Sequence, residues 1–180
     1  SSVRGDLGFD KRDYGVMTLH RPSNVDAPET FARILLALET ITAELPVIFP
    51  VHPRTRKTIA ALGLSDRVTA MKNLRVIDPL GYLDFLSLYS QARLVLTDSG
   101  GIQEETTALG IPCLTLRENT ERPITVELGT NVVVGTDTAR IVSAASAVLN
   151  GAGRKSVHQL PLWDGHTSER ILDVLEEISL

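Results

Sequence analysis

The sequence predicts an α/β domain with a parallel sheet covered by helices on both faces, wound outward in two directions in the Rossmann-like, doubly wound manner. Three observations predict it. From Tyr14 onward, short and almost wholly apolar runs alternate with amphipathic stretches, and strands without a polar face belong to sheets buried on both sides. Each apolar run ends in polar residues, glycine or proline before the next amphipathic stretch begins, which is the punctuation of βα units. Right-handed crossovers between parallel strands then leave the doubly wound arrangement.

Residues 1–13 are mixed and polar, and read as the end of a helix and a linker into one domain that fills the rest of the chain. Tyr14 to Leu19 is the first strand, ending in His20-Arg21-Pro22-Ser23-Asn24. A helix follows, with Asp26 and Glu29 in capping-box spacing and Pro28 in its first turn. Phe31, Ile34, Leu35, Leu38, Ile41 and Leu45 form its apolar stripe. Val47 to Val51 is the second strand, ending in His52-Pro53-Arg54-Thr55, and a short helix runs to about Leu62. Leu74 to Ile77 is the third strand, closed by Asp78-Pro79-Leu80-Gly81, with a helix from Tyr82 to Gln91.

Leu94 to Thr97 is the fourth strand and runs into Asp98-Ser99-Gly100-Gly101, which opens a helix that stops at Gly110. Pro112 to Leu116 and Asn131 to Gly135 are the last strands, with Arg117 to Pro123 after the fifth. Helices over Thr138 to Leu149 and Thr167 to Ile178 close the chain, with Trp163-Asp164-Gly165-His166 in the loop between them.

Apolar residues make up 43% of the chain and charged ones 22%, the balance of a globular protein and not of a disordered one. The net charge of −4 provides no basic excess to displace counterions, so no nucleic-acid partner is expected. No apolar run approaches the roughly 20 residues of a membrane span, and Ser1 to Lys11 lacks the apolar centre of a signal peptide. No membrane partner and a cytoplasmic location are therefore expected. The single cysteine, Cys113, lies in a strand-like run and reads as a buried structural thiol.

The polar residues collect at the carboxyl ends of the strands, where open α/β sheets bind ligands. They are His20 and Arg21, His52 and Arg54, Asp78, Asp98 to Gly101, and Arg117 to Arg122. Adjacent glycines at a strand-to-helix junction let a ligand approach the backbone closely. The first N–H groups of that helix lack internal partners and carry the positive end of its dipole, which suits a phosphate.

Each residue also has a structural reading. Ser99 serves as an N-cap, His20 as a satisfied structural histidine, and Arg122 as a solvated pair with Glu121. Glu105 reads as an exposed first-turn acid or a ribose ligand, Phe85 as core or as the flank of a planar base. The chain has no Walker lysine motif, no Gly-x-Gly-x-x-Gly, no Gly-x-Ser-x-Gly elbow and no convincing metal-ligand spacing. A phosphate site without a metal, and no cofactor, are expected.

Five ordered blocks carry a resemblance. They are Thr18 to Asn24, Val51-His52-Pro53, Asp98 to Glu105, Thr120-Glu121-Arg122-Pro123, and Asp164 to Ile171. Together they resemble the C-terminal half of the non-hydrolysing UDP-N-acetylglucosamine 2-epimerases. That family has two Rossmann-like domains facing a cleft, the GT-B arrangement.

The resemblance implies that this half carries UDP and UDP-N-acetylhexosamine. Ser99, Gly100 and Gly101 would hold the diphosphate, and His20 would contact it and assist its departure as the catalytic residue. Glu105 would take the ribose hydroxyls, Phe85 would flank the uracil, and Arg122 would face the sugar–diphosphate region. Arg21 and His52 match a regulatory site for a second substrate molecule. The implied chemistry is anti elimination of UDP and its re-addition after the C2 proton returns on the other face, interconverting UDP-GlcNAc and UDP-ManNAc.

The family's acid and base carboxylates lie in an N-terminal domain outside this chain, so the chain alone is expected to be inactive. A homodimeric full-length enzyme in cell-surface polysaccharide biosynthesis is implied. Pro22-Ser23 before Asn24 and Leu80 near the base depart from the family pattern. Two rival readings stand beside it: the donor domain of a GT-B UDP-sugar glycosyltransferase, and a non-enzymatic nucleotide-sugar-binding module.

Overall fold

The computed structural model describes residues 5, 7–9, 13–151 and 160–178. Its strands are β1 (Gly15–Thr18), β2 (Val47–Pro50), β3 (Leu74–Ile77), β4 (Leu94–Thr97), β5 (Cys113–Thr115) and β6 (Asn131–Val133). They form one parallel sheet in the order β3-β2-β1-β4-β5-β6. The chain thus builds outward from β1 to one edge, returns to the middle at β4, and builds outward to the other edge. β1 and β4 pair in register from Gly15↔Leu94 to Thr18↔Thr97. Connections leaving these two strands diverge to opposite faces, which opens a crevice past their carboxyl ends.

The helices are α1 (Pro22–Val25), α2 (Pro28–Glu44), α3 (Pro53–Ala61), α4 (Ser65–Ala70), α5 (Tyr82–Tyr89), α6 (Gly100–Leu109), α7 (Pro123–Glu127), α8 (Thr138–Leu149) and α9 (Thr167–Ile178). Strand side chains alternate between two cores with a period of two. Met17, Phe49, Leu94 and Leu96 pack with the α2 stripe and with Ile141 and Ala145 of α8. Val16, Ile48 and Val95 pack on the other face with Leu88 and Tyr89 of α5 and Ile102 of α6. Burial of each large apolar side chain contributes about 2 kcal/mol.

Several local expectations are revised. The Asp26–Glu29 capping box does not form: Ala27 occupies the N-cap of α2, without a side-chain cap. Pro22 starts α1 one turn earlier, and Asp26 closes it with its N–H on the Pro22 carbonyl while its carboxylate holds Arg54. Helices α1, α4 and α7, of four to six residues, are too short to display a helical period in the sequence. The strands are not uniformly buried either, since Arg75 in edge strand β3 and Val132 in edge strand β6 are exposed.

The expected stop of α6 is present. Gly110 takes φ +70°, and its N–H and that of Ile111 return to the last-turn carbonyls, a left-handed close that glycine adopts without cost. Of the segment read as a linker, Leu7 and Phe9 pack on the second core, and the Phe9 ring lies 5.3 Å from that of Tyr14. Residues 1–4, 6 and 10–12 lie outside the described residues. Helix α9 forms at its expected place, yet Ile171, Val174 and Ile178 on its apolar stripe are exposed and none of its residues is buried. No described helix is long and apolar enough to cross a membrane.

Cys113 is fully buried in β5. Burial pushes its thiol up to about 12, against the smaller opposing effect of the Thr106 and Thr115 hydroxyls. A thiol reagent is therefore expected to modify the native chain only as fast as it unfolds. Cys113→Ser is expected to cost about 1 kcal/mol and leave ligand affinity unchanged. Labelling of the folded chain within seconds at neutral pH would contradict the first expectation.

Candidate functional site

The crevice begins with two threonines. Thr18 and Thr97, opposite each other at the ends of β1 and β4, share a hydrogen bond between hydroxyls at 2.7 Å. Thr97 Oγ1 also accepts the Ser99 N–H at 3.0 Å, which shapes the turn into α6. Ser99 sits at the N-cap, but its hydroxyl caps no amide of the helix. Ideal Cβ atoms on Gly100 or Gly101 would meet nothing within 4 Å, so the first turn of α6 lies open.

Asp98 organises the other wall. Its side chain is 0% exposed, and it receives donors from a distant stretch of chain. The backbone N–H of His20 lies 3.1–3.2 Å from its two oxygens, and the N–H of Arg21 reaches Oδ2 at 2.8 Å. Asn24 Nδ2 reaches Oδ2 at 3.2 Å and also donates to the Leu116 carbonyl at 2.9 Å. The His20 ring places Nδ1 2.9 Å from Asp98 Oδ1, with 44% of its side chain exposed. One carboxylate thus fastens the tip of β1 to that of β4, and Asn24 extends the tie to the end of β5.

The electrostatics follow from these contacts. Burial works to raise the Asp98 carboxyl, but the His20 side chain and the two backbone N–H groups together hold it below the usual carboxylate range. The hydrogen bond to Asp98 raises His20 above its ordinary value, outweighing partial burial and the neighbouring Arg21. With Nδ1 held by the carboxylate, Nε2 is the nitrogen left to meet a ligand.

His20 and His52 share a cavity of about 180 Å³ with Thr18, Pro50, Leu80 and Phe85. His52 has a structural duty as well, because its Nδ1 accepts the Arg54 N–H at 3.2 Å as N-cap of α3. On α6, Glu104 and Glu105 diverge by the helical step of about 100°. Glu104 Oε1 pairs with Arg122 Nε at 2.8 Å, whereas Glu105 faces Tyr82 and Tyr89 of α5. Glu105 thus faces α5, and Glu104 faces the loop that carries Arg122.

The Glu121–Arg122 side-chain pair, the structural alternative for Arg122, does not form. Glu121 instead receives Arg117 Nη1 and Nη2, each at 2.7 Å, within the loop after β5. Buried Gln103 anchors the loop that carries Arg122. Its Nε2 donates to the Ser99 carbonyl, and its Oε1 accepts from Thr120 and Asn131.

The structure thus gathers His20, His52 and Phe85 at one cavity and sets Ser99, Gly100 and Gly101 at the adjoining strand end. Arg21 is fixed through its backbone, and Arg54, Arg117 and Arg122 each hold a carboxylate of their own. Sequence reasoning assigned no organising role to Asp98, Asn24, Gln103 or the two tyrosines, although Asp98, Asn24 and Gln103 stood within the quoted blocks. Among the described residues, no group of three or more His, Cys, Asp or Glu is placed to hold a metal.

Strand order and a crevice at the β1/β4 reversal place the chain among the doubly wound α/β domains, in which ligands bind at the switch point. The chain belongs to the UDP-N-acetylglucosamine 2-epimerase family, whose model matches residues 2–176. It is 42% identical over 165 residues to the UDP-N-acetylglucosamine 2-epimerase of Methanocaldococcus jannaschii, covering 91% of this chain and 44% of that protein. It is 41% identical over 174 residues to the UDP-2,3-diacetamido-2,3-dideoxy-D-glucuronate 2-epimerase of Pseudomonas aeruginosa, covering 96% and 47%.

The crystal structure of the M. jannaschii UDP-GlcNAc 2-epimerase in complex with UDP-GlcNAc and UDP superposes with a TM-score of 0.84 at 39% identity. That match covers 98% of this chain and 49% of the other. The chain therefore spans about half the length of the relatives it matches.

Proposed function

We propose that this chain is the UDP-binding, C-terminal half of a UDP-N-acetylglucosamine 2-epimerase, which interconverts UDP-GlcNAc and UDP-ManNAc by eliminating and re-adding UDP. The observation that carries the reading is the open Gly100-Gly101 helix mouth at the switch point, beside an imidazole whose proton Asp98 sustains. Elimination develops negative charge on the leaving diphosphate. Amides and the dipole of α6, the Ser99 hydroxyl and the His20 imidazolium are fixed donors for that charge and need no reorganisation during the reaction. Glu105 takes the ribose hydroxyls, Phe85 flanks the uracil, and Arg122 faces the sugar–diphosphate region. Arg21 and His52 contribute to a regulatory site.

In this reading residues 1–180 are one domain of a two-domain GT-B enzyme. The acid and base that move the C2 proton belong to the N-terminal domain, so this chain binds UDP without turning substrate over. The whole protein is a cytoplasmic homodimer in cell-surface polysaccharide biosynthesis, with no membrane or nucleic-acid partner. The Pseudomonas relative is named for a different sugar on the same UDP. Most of the residues assigned here address the UDP and serve either sugar, so the choice of sugar rests largely with the other half.

Calorimetry with UDP, UMP and ADP tests the assignment. Ser99→Ala is expected to weaken UDP binding about threefold to tenfold and His20→Ala about tenfold or more, from the loss of one neutral and one charged hydrogen bond. UMP is expected to bind more weakly than UDP, because it lacks the second phosphate. Unaltered UDP affinity in both variants would end the diphosphate assignment.

A further inference from the structure

The Glu105 carboxylate is already held before any ligand arrives. The Tyr89 hydroxyl donates to its Oε2, and the Tyr82 hydroxyl stands 3.4 Å from its Oε1. Tyr82, Phe85 and Tyr89 follow the i, i+3, i+7 spacing of one helical face, so a single stripe of α5 addresses both Glu105 and the proposed base site.

Tyr89 is fully buried, and its ring meets Phe85 edge to face with centroids 5.0 Å apart and planes at 70°. A ring fixed in the core carries its hydroxyl to one place. Burial first, and then Glu105, push that hydroxyl well above its ordinary titration range, so it remains a donor at every pH the protein meets.

The acceptor count is informative. An ionised carboxylate offers about four lone-pair sites. Two directed at tyrosines leave two, which match the vicinal 2′- and 3′-hydroxyls of a ribose. An unrestrained glutamate loses rotamer entropy when it is ordered. A glutamate ordered in the free protein does not lose it again on binding.

From this we infer that Tyr89, assisted by Tyr82, is a positioning residue that presents the Glu105 carboxylate to the ribose hydroxyls. Preference for a ribonucleotide over its 2′-deoxy analogue is then a property of the α5–α6 contact. This rests on the ribose assignment of Glu105 proposed above. It adds that the carboxylate works only in the orientation the tyrosines impose.

The experiment compares UDP with 2′-deoxy-UDP by calorimetry on this chain and on Tyr89→Phe, Tyr82→Phe and Glu105→Gln. The expected result is that Tyr89→Phe lowers the UDP/2′-deoxy-UDP affinity ratio about threefold or more. The loss falls on UDP, and affinity for the deoxy analogue changes less than twofold. Tyr82→Phe, with an exposed ring, gives a smaller change in the same direction and no change in melting temperature. It supplies the reading even if Tyr89→Phe disturbs the core.

Equal weakening of both nucleotides by Tyr89→Phe, or no weakening of either in both tyrosine variants, would overturn the inference and leave the tyrosines as glue between helices. A ratio unchanged in Glu105→Gln would instead refute the ribose assignment itself. A ratio that collapses in Glu105→Gln but holds in both tyrosine variants refutes only the positioning role.

Discussion

Gly101→Ala is expected to keep the fold at full stability and to weaken UDP binding about tenfold or more. A Cβ at this position meets no protein atom within 4 Å. Gly101 lies in the first turn of α6 and takes no positive φ. Alanine there is compatible with the backbone and removes freedom from the unfolded chain, an effect worth about 0.5–1 kcal/mol in favour of folding. The new methyl group stands in the space through which a phosphate reaches the helix amides. Thermal unfolding and UDP calorimetry on the same sample separate the two effects. Undiminished affinity would show that the mouth of α6 is not where the diphosphate sits.

Asp98→Asn is expected to be the most damaging exchange of a single atom in the site, costing about 3 kcal/mol. Donors from His20, Arg21 and Asn24 converge on the carboxylate. An amide turns one acceptor oxygen into another donor, set among the His20 and Arg21 backbone N–H groups and the Asn24 amide nitrogen, which only donate. Against a typical stability of about 5–15 kcal/mol, this is a large fraction, read directly from urea midpoints at neutral pH. A variant within 0.5 kcal/mol of the parent would contradict the organising role of Asp98.

The pH dependence has two limbs. The Asp98 carboxyl is held below its ordinary value, so its contribution is present above about pH 4, the unfolded value, and is lost as pH falls through the folded one. His20 is raised, so its contribution is complete below about pH 6.5 and is lost as pH rises through the raised value. The second limb is the smaller, since nearly half the imidazole faces solvent. D98N flattens both. UDP affinity in the parent falls along the alkaline limb as the imidazolium disappears, and in D98N that fall moves to lower pH.

Much of this domain was legible from local chemistry. Apolar runs marked the strands, and Gly110 marked the end of α6 because a left-handed residue there wants glycine. The glycines after Asp98 marked the open helix mouth for a related reason. What the sequence hid was partner choice. Asp26 and Glu29 carried the spacing of a capping box, but Pro22 began a helix that used Asp26 first. Glu121 stood next to Arg122 and bound Arg117 instead. Asp98 looked like one more rim carboxylate, because the groups that define its role lie 74 to 78 residues earlier. Such separations leave no mark on spacing or periodicity.

The cage around Asp98 also sets when in the life of the chain the crevice comes into being. Loops of that span close late in folding, after local helices have formed. Until that loop closes, the glycine turn has no imidazole beside it. A nucleotide held by the proposed site is therefore expected to draw the equilibrium toward the finished molecule by mass action, since only there do the glycine turn and the imidazole stand side by side.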